Sequence, residues 1–83
     1  MKIYVKIMPK EGVLDPQGKA IENSLKQLGF ANVQGARQGK IVELNLDINN
    51  KEDALALTRE MSEKLLANMV IEDFEISIIK DDL

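Results

Sequence analysis

The amino-acid sequence predicts an α+β domain from its length, its alternating segments and its helical segments. Its 83 residues, 45% of them hydrophobic and 30% charged, are enough for one small core. Several segments alternate apolar and polar residues as half-buried strands do, and two others repeat apolar residues at helical spacing. We therefore expect residues 1–83 to form a single domain in which a sheet and two helices share one core.

The first strand is predicted over residues 2–8, "KIYVKIM". Ile3, Val5 and Ile7 fall on one face, and lysines and Tyr4 fall on the other. Pro9 ends the strand, because proline has no N–H to donate to a sheet ladder. This strand is therefore expected to bury one face only.

The first helix is predicted from Pro16 to about residue 28. Asp15 is a suitable N-cap, and proline suits the first helical position, where its missing N–H would have no partner. Gly29 is the predicted stop, in the left-handed conformation, with Phe30 after it and a Schellman pattern of hydrogen bonds. The apolar residues form a stripe at helical spacing: Ala20, Ile21, Leu25 and Leu28.

A hairpin is predicted next. A weak strand spans roughly residues 32–37, a turn lies at residues 38–39, and a stronger strand spans residues 40–48. Gly35 weakens the first of these strands and is typical of a bulge or an edge. Gln-Gly is a poorer hairpin turn than Asn-Gly.

The second helix is predicted to begin after Asn50 as N-cap and to end near Asn68 in the left-handed conformation. Glu60 and Lys64 are spaced as a favourable i, i+4 pair. The last strand is predicted over residues 71–79. The second-helix residues expected to face the core are Ala54, Leu57, Thr58, Met61 and Leu65.

The predicted order βαββαβ indicates a ferredoxin-like sandwich. Right-handed crossovers then give one antiparallel sheet with strand order 4-1-3-2 and both helices on one face. Charge supports this order, because it places the first strand, with Lys2 and Lys6 outward, between neighbours that carry Glu43 and Glu75.

The composition restricts the chemistry of the chain. It has no His and no Cys, so it lacks the commonest general base, the commonest metal ligand and the most easily activated nucleophile. Net charge −3 argues against a general nucleic-acid or anionic-membrane binder, and no apolar run approaches the roughly 20 residues of a membrane span. No disulfide framework is possible and no signal peptide is evident, so we expect a cytoplasmic protein.

Self-association is expected for two reasons. A domain of this size has a thin margin of stability. The open sheet face also mixes apolar residues with its charges, which indicates either scattered surface residues or a subunit interface. These apolar residues are Tyr4, Met8, Ile41, Ile71 and Ile79.

Two motifs remain unexplained by the fold, "LDPQG" at the start of the first helix and "RQGK" at the hairpin turn. Each is compatible with small-anion binding, with ordinary solubilising charge or with protein contact. Gly18 stands where a capping-box Glu or Gln would be favoured, which indicates close approach either by a partner or by the rest of the chain. The predicted interface residues are Asp15, Pro16, Gln17, Gly18, Arg37, Gly39, Lys40, Tyr4 and Met8.

Three segments in order, "VLDPQGKAIENSLKQLGF", "ARQGKIVELNLD" and "EKLLANMVIEDFEI", resemble the small PurS-type subunit of phosphoribosylformylglycinamidine synthase, also called formylglycinamide ribonucleotide amidotransferase. The resemblance covers essentially the whole chain. Met69 departs from it, since the family usually has Pro there, and Phe74 replaces Tyr conservatively.

The resemblance implies an ATP- and glutamine-dependent ligase of purine biosynthesis. In it a glutaminase subunit releases ammonia, and a large synthetase subunit uses ATP and Mg²⁺ to add it to formylglycinamide ribonucleotide. The small subunit is then a dimeric or tetrameric accessory subunit without an active site or a cofactor of its own, which bridges the two others and supports ammonia transfer. The alternatives are a ferredoxin-like metabolite-binding regulatory module and a small phosphate-handling enzyme.

Overall fold

A computed structural model describes residues 1–79 of the chain. Within that range three strands form one antiparallel sheet in the order β2-β1-β3, so β1 is central. This confirms the α+β class and the central position of the first strand. The elements are β1 (Lys2–Pro9), α1 (Pro16–Gln27), β2 (Lys40–Asn45), α2 (Lys51–Met61), a π-helical turn (Ser62–Leu66) and β3 (Glu72–Ile79).

The core lies on one face of this sheet. Ile3, Val5 and Ile7 of β1 are almost completely buried, as their alternation predicts. Ala54 of α2 and Ala67 after the π-helical turn complete the buried cluster, so α2 covers this face. The register places Val5 opposite Val42 of β2 and Ile76 of β3. Ile3 pairs likewise with two apolar residues, whereas Ile7 lies opposite Phe74 of β3 and Lys40 of β2.

The prediction of a strand over residues 32–37 is wrong. Residues 33–39 have no regular secondary structure, and the sheet formed by residues 1–79 has three strands. The physical reason is local: the backbone N–H of Gln38 donates to the Asp15 carboxylate, and the Ala36 carbonyl packs against Gly18. Backbone groups that could have joined a sheet ladder thus contact the first turn of α1 and its N-cap instead.

The predictions for both ends of α1 are confirmed. The side chain of Asp15 accepts a hydrogen bond from the Gly18 N–H at 3.0 Å, and Pro16 is the first helical residue. Gly29 has φ +102°, and the Phe30 N–H donates to the Leu25 carbonyl while the Gly29 N–H donates to that of Lys26. These two bonds make the Schellman ending.

The second helix begins as predicted and ends differently. The Asn50 side chain caps it by accepting from the Asp53 N–H at 3.0 Å. The left-handed ending at Asn68 is wrong, because among residues 1–79 only glycines have positive φ. Ala67 is extended instead, and the Asn68 N–H donates to the Glu72 side chain.

The predicted core face of the second helix is wrong at two positions, Leu57 and Leu65, and the π-helical turn explains the second of them. Ala54 and Thr58 are fully buried as expected, whereas Leu57 is 38% and Leu65 83% exposed. The bond from the Ala67 N–H to the Ser62 carbonyl closes a turn one residue wider than an α-turn. That extra residue turns Leu66 toward the core and moves Leu65 out of it.

Helix α1 contributes no residue to the core. Its apolar residues, called here the α1 stripe (Ala20, Ile21, Leu25 and Leu28), are largely exposed, with Leu28 at 74%. The Cα radius of gyration is 16.2 Å, whereas a compact domain of this length has about 12 Å. The chain is therefore extended, with α1 away from the face that α2 covers.

Candidate interaction surfaces

The structure brings the two unexplained motifs together in a cluster that we call the α1 clasp: Asp15, Gly18, Ala36, Arg37 and Gln38. One carboxylate oxygen of Asp15 accepts from the Gly18 N–H, and the other accepts from the Gln38 N–H at 2.9 Å. The Arg37 guanidinium donates to the Pro9 carbonyl. The clasp fixes the loop before β2 to the first turn of α1.

Close packing in the clasp explains Gly18. A Cβ built on it would collide with the Ala36 carbonyl oxygen and with the Asp15 carboxylate. Both neighbours belong to the same chain, so the intrachain explanation accounts for this glycine without a partner. Gly39 is similar, since a Cβ there would collide with the Ile7 carbonyl oxygen and the Met8 sulfur.

The electrostatics of the clasp favour an ionised Asp15. The pKa of this carboxyl lies below its ordinary value of 3.8, mainly because the Gly18 and Gln38 N–H groups donate to the carboxylate, with a smaller effect from the Arg37 charge. A negative side chain at a helix N-terminus also opposes an incoming anion. An open cleft of about 520 Å³ adjoins the clasp, lined by both signs of charge, including Lys10, Glu11 and Lys19.

The other predicted interface residues lie near the clasp or on the open sheet face. Gln17, Gly39 and Lys40 line one small surface depression, and Lys40 pairs with Ile7 at the end of β1. Tyr4 and Met8 are half-buried on the sheet face that α2 leaves uncovered. The structure therefore groups most of these residues at one end of the sheet, and Tyr4 lies further along β1.

The open sheet face combines an ion pair with apolar side chains. Lys6 lies opposite Glu75 and their charged atoms are 3.8 Å apart, which confirms the predicted pairing of β1 with the last strand. Glu43 lies opposite Tyr4 rather than a lysine. Ile41 is 62% exposed beside these charges. Ile71, predicted to share this face, lies just before β3.

Sequence reasoning missed an apolar groove beside α2, which we call the α2 groove. It has a volume of about 460 Å³ and lies between β2 and the flank of α2 with its π-helical turn. The Glu60–Lys64 ion pair, 2.7 Å long, stands at its edge. The residues of the α2 groove are Leu44, Leu57, Met61, Leu65 and Leu66.

Neither a metal cluster nor a membrane-spanning helix is present within residues 1–79. Within residues 1–79, no three His, Cys, Asp or Glu side chains converge as metal ligands would. No helix in the same range has both the length and the apolar character required to span a bilayer.

Comparison with known proteins gives the family. Residues 2–80 match the family model described as PurS, phosphoribosylformylglycinamidine (FGAM) synthase. The chain belongs to the PurS family. It is 44% identical over 78 residues to the FGAM synthase subunit PurS of Bacillus subtilis (strain 168). The aligned residues cover 94% of this chain and 89% of that protein.

Solved structures of PurS chains share the fold. The crystal structure of Methanocaldococcus jannaschii PurS superposes with a TM-score of 0.86 at 40% identity and covers 98% of both chains. A chain in the structure of PurLQS from Thermotoga maritima gives 0.83 at 32% identity, covering 92% of this chain and 93% of that one. Since the first superposition spans nearly all of both chains, the overall architecture of this chain is similar to that of the Methanocaldococcus jannaschii protein.

Proposed function

We propose that this chain is the small, non-catalytic subunit of FGAM synthase and joins a glutaminase subunit to a large ATP-dependent synthetase subunit. The observation that carries the proposal is the superposition on a chain of the Thermotoga maritima PurLQS structure over 92% of this chain. The ATP and Mg²⁺ of the reaction are assigned to the synthetase, and no cofactor is assigned to this chain. A cytoplasmic location follows from membership of such a biosynthetic complex.

The surfaces of the chain support an adaptor role. The α1 stripe, the α2 groove and the open sheet face each expose apolar side chains, and large exposed apolar patches are typical of interaction sites. An adaptor that contacts two partners and another copy of itself needs several such surfaces. Self-association, as a dimer or a tetramer, is therefore part of the proposal.

The proposal is tested by reconstitution with the glutaminase and synthetase subunits from the same organism. With this chain present, we expect one complex of all three subunits on size-exclusion chromatography and glutamine-dependent formation of formylglycinamidine ribonucleotide. Without it, we expect glutamine-dependent synthesis to fall at least tenfold while synthesis from added ammonium salt by the synthetase continues, because only the transfer between subunits is lost.

Two results would overturn the adaptor role. One is elution of this chain alone in the presence of glutamine, ATP and Mg²⁺, which would favour the metabolite-binding alternative. The other is full glutamine-dependent activity from the two large subunits without it.

A further inference from the structure

Three consecutive apolar residues are exposed in the loop between the π-helical turn and β3. Met69 is 40%, Val70 82% and Ile71 42% exposed. We call residues 68–71 the Asn68 loop. Single exposed apolar residues are ordinary on a protein surface, whereas a run of three is unfavourable in a soluble domain unless it has a function. The loop is therefore a candidate contact with another molecule.

The hydrogen bonds that shape the Asn68 loop do not require apolar side chains. The Asn68 carbonyl accepts from the N–H groups of Ile71 and Glu72, at 3.0 and 2.7 Å. The Asn68 side-chain oxygen accepts from the Val70 N–H at 3.1 Å, as in an Asx turn. The side chains of residues 69–71 take no part in these bonds. The turn would form equally well with polar residues there, so its own folding does not explain the apolar run.

The Asn68 loop is also fixed to the rest of the domain at both ends. Ala67, directly before it, is buried in the core. The Asn68 N–H donates to the Glu72 carboxylate at 2.7 Å, and the Ile71 carbonyl accepts from the Lys10 N–H at 2.8 Å. The backbone is thus ordered before any partner arrives. Binding through such a loop loses little conformational entropy.

The Asn68 loop lies at the end of the sheet that also holds the α1 clasp. Lys10 directly follows β1, whose last residue, Pro9, accepts from the Arg37 guanidinium. Leu14 is 84% exposed and lies between this point and the N-cap of α1. Most of the interface residues predicted from the sequence lie at this end too. The loop therefore extends a surface that the sequence had already marked for contact.

The charges beside the Asn68 loop are mainly acidic. Glu72 and Asp73 follow the loop in the chain, and Glu11 follows Lys10. Asp73 is 70% exposed, and the Lys10 ammonium is 3.8 Å from its carboxylate. Glu11 and Asp73 line one surface depression. Since complementary charges favour association, a pocket that receives this loop needs an apolar lining and a basic rim.

A second copy of the chain does not match this description. Its α2 groove is apolar, but the Glu60–Lys64 pair at the groove edge, 2.7 Å long, has no net positive charge. The occupant that the charges favour is therefore a different subunit.

We propose that the Asn68 loop inserts into an apolar pocket with a basic rim on one of the two catalytic subunits. The proposal rests on the proposed function and names the element through which this chain joins one of its partners. Val70 is the most exposed residue of the loop, between the half-exposed Met69 and Ile71. This is the arrangement of a binding hot spot, in which a central side chain is surrounded by others that exclude water.

The test measures binding of the full-length chain to the glutaminase and synthetase subunits from the same organism, separately and together. Biolayer interferometry in the presence of glutamine, ATP and Mg²⁺ gives the Kd of wild type and variants. We expect Val70→Asp to bind one of the two subunits at least about tenfold more weakly, because it places a charge in the apolar contact. Circular dichroism should give the same unfolding midpoint as for wild type, since Val70 is exposed.

Two matched variants separate the apolar contact from other effects. Asn49→Asp adds the same charge at another exposed loop position and should leave each Kd within about twofold of wild type. Val70→Ile keeps an apolar side chain and should do the same. Glu11→Lys reverses a charge beside the loop and should slow association with the subunit that Val70→Asp affects.

Three results would overturn the proposal, and they differ in what else they affect. Equal binding of Val70→Asp and Asn49→Asp to both subunits would exclude the loop as a contact and leave the proposed function intact. Binding of wild type to neither subunit would remove the proposed function as well. In sedimentation equilibrium of the chain alone, we expect Val70→Asp and wild type to have the same mass. A lower mass for Val70→Asp would show that a second copy, and not a catalytic subunit, occupies the loop.

Discussion

At the scale of single residues, Gly18 shows how a local packing need can explain an unfavourable helix residue. Gly18→Ala is expected to lower the free energy of unfolding by about 1–3 kcal/mol, because the added methyl collides with the Ala36 carbonyl oxygen. Urea unfolding followed by circular dichroism measures the change. Gly35→Ala is the matched control, since a Cβ there meets nothing within 4 Å. Equal stability of the two variants would contradict the packing explanation.

Thr58 carries a buried polar atom that has no hydrogen-bond partner within residues 1–79. Its side chain is fully buried, and its hydroxyl oxygen makes no hydrogen bond within residues 1–79. Thr58→Val keeps the shape and removes the hydroxyl, so we expect a gain of about 1 kcal/mol in the free energy of unfolding. Thr58→Ala tests the packing separately and is expected to destabilise, because it leaves a cavity. A loss of stability in Thr58→Val would show that the hydroxyl has a favourable role.

Asp15 gives the α1 clasp a dependence on pH. Its pKa is lower in the folded state than the ordinary value of 3.8, mainly through the Gly18 and Gln38 N–H groups. Its stabilising effect is therefore fully present above pH 3.8 and is lost as pH falls through the lower folded-state pKa. We expect Asp15→Asn to have a lower urea midpoint than wild type at pH 7 and the difference to shrink below pH 3.8. A difference that stays constant to pH 2.5 would contradict this assignment.

At the scale of elements, local signals were enough to locate helix starts and strands. Asp15, Asn50 and Gly29 have backbone roles that depend on the residues within one turn, and all three predictions are confirmed. The strand predicted at residues 32–37 does not form, because a residue distant in sequence makes a competing contact. The Asp15 carboxylate accepts a hydrogen bond from the N–H of Gln38, 23 residues away. No periodicity in the sequence can show such a competing contact.

The Schellman ending of α1 provides a prediction for this scale. Gly29→Ala is expected to lower the free energy of unfolding by about 1–2 kcal/mol, because φ +102° at this position strains a residue with a Cβ. Open space surrounds the position, so packing does not add to the loss. Chemical unfolding measures it against the Gly35→Ala control. A neutral effect would mean that the end of α1 adjusts without cost.

The π-helical turn is the element that sequence reasoning could not foresee. Regular α-helical spacing placed Leu65 in the core, whereas the wider turn exposes it and buries part of Leu66 instead. One inserted residue in the turn thus changes which side chains are exposed beside α2. The α2 groove was missed for this reason. The predicted α1 stripe nevertheless indicated that an apolar surface able to cover it should exist.

At the scale of the whole molecule, the sequence predicted the sheet and its central strand but not the position of α1. Composition and periodicity describe which face of a helix is apolar, and they do not say whether the covering surface belongs to the same chain. The exposed Leu28 and the radius of gyration of 16.2 Å show that α1 is not covered within one copy. Chain length had indicated self-association, and the structure adds exposed apolar surfaces of the kind that commonly mediate it.

The self-association that belongs to the proposed function makes stability depend on protein concentration, since unfolding of a dimer releases two chains. A hundredfold increase in concentration is then expected to add about 2.7 kcal/mol per dimer to the apparent free energy of unfolding and to raise the Tm. Thermal unfolding at about 5 μM and about 500 μM measures the shift for the wild-type chain. A wild-type Tm independent of concentration would mean that the chain gains no stability from a second copy, and would contradict self-association at these concentrations.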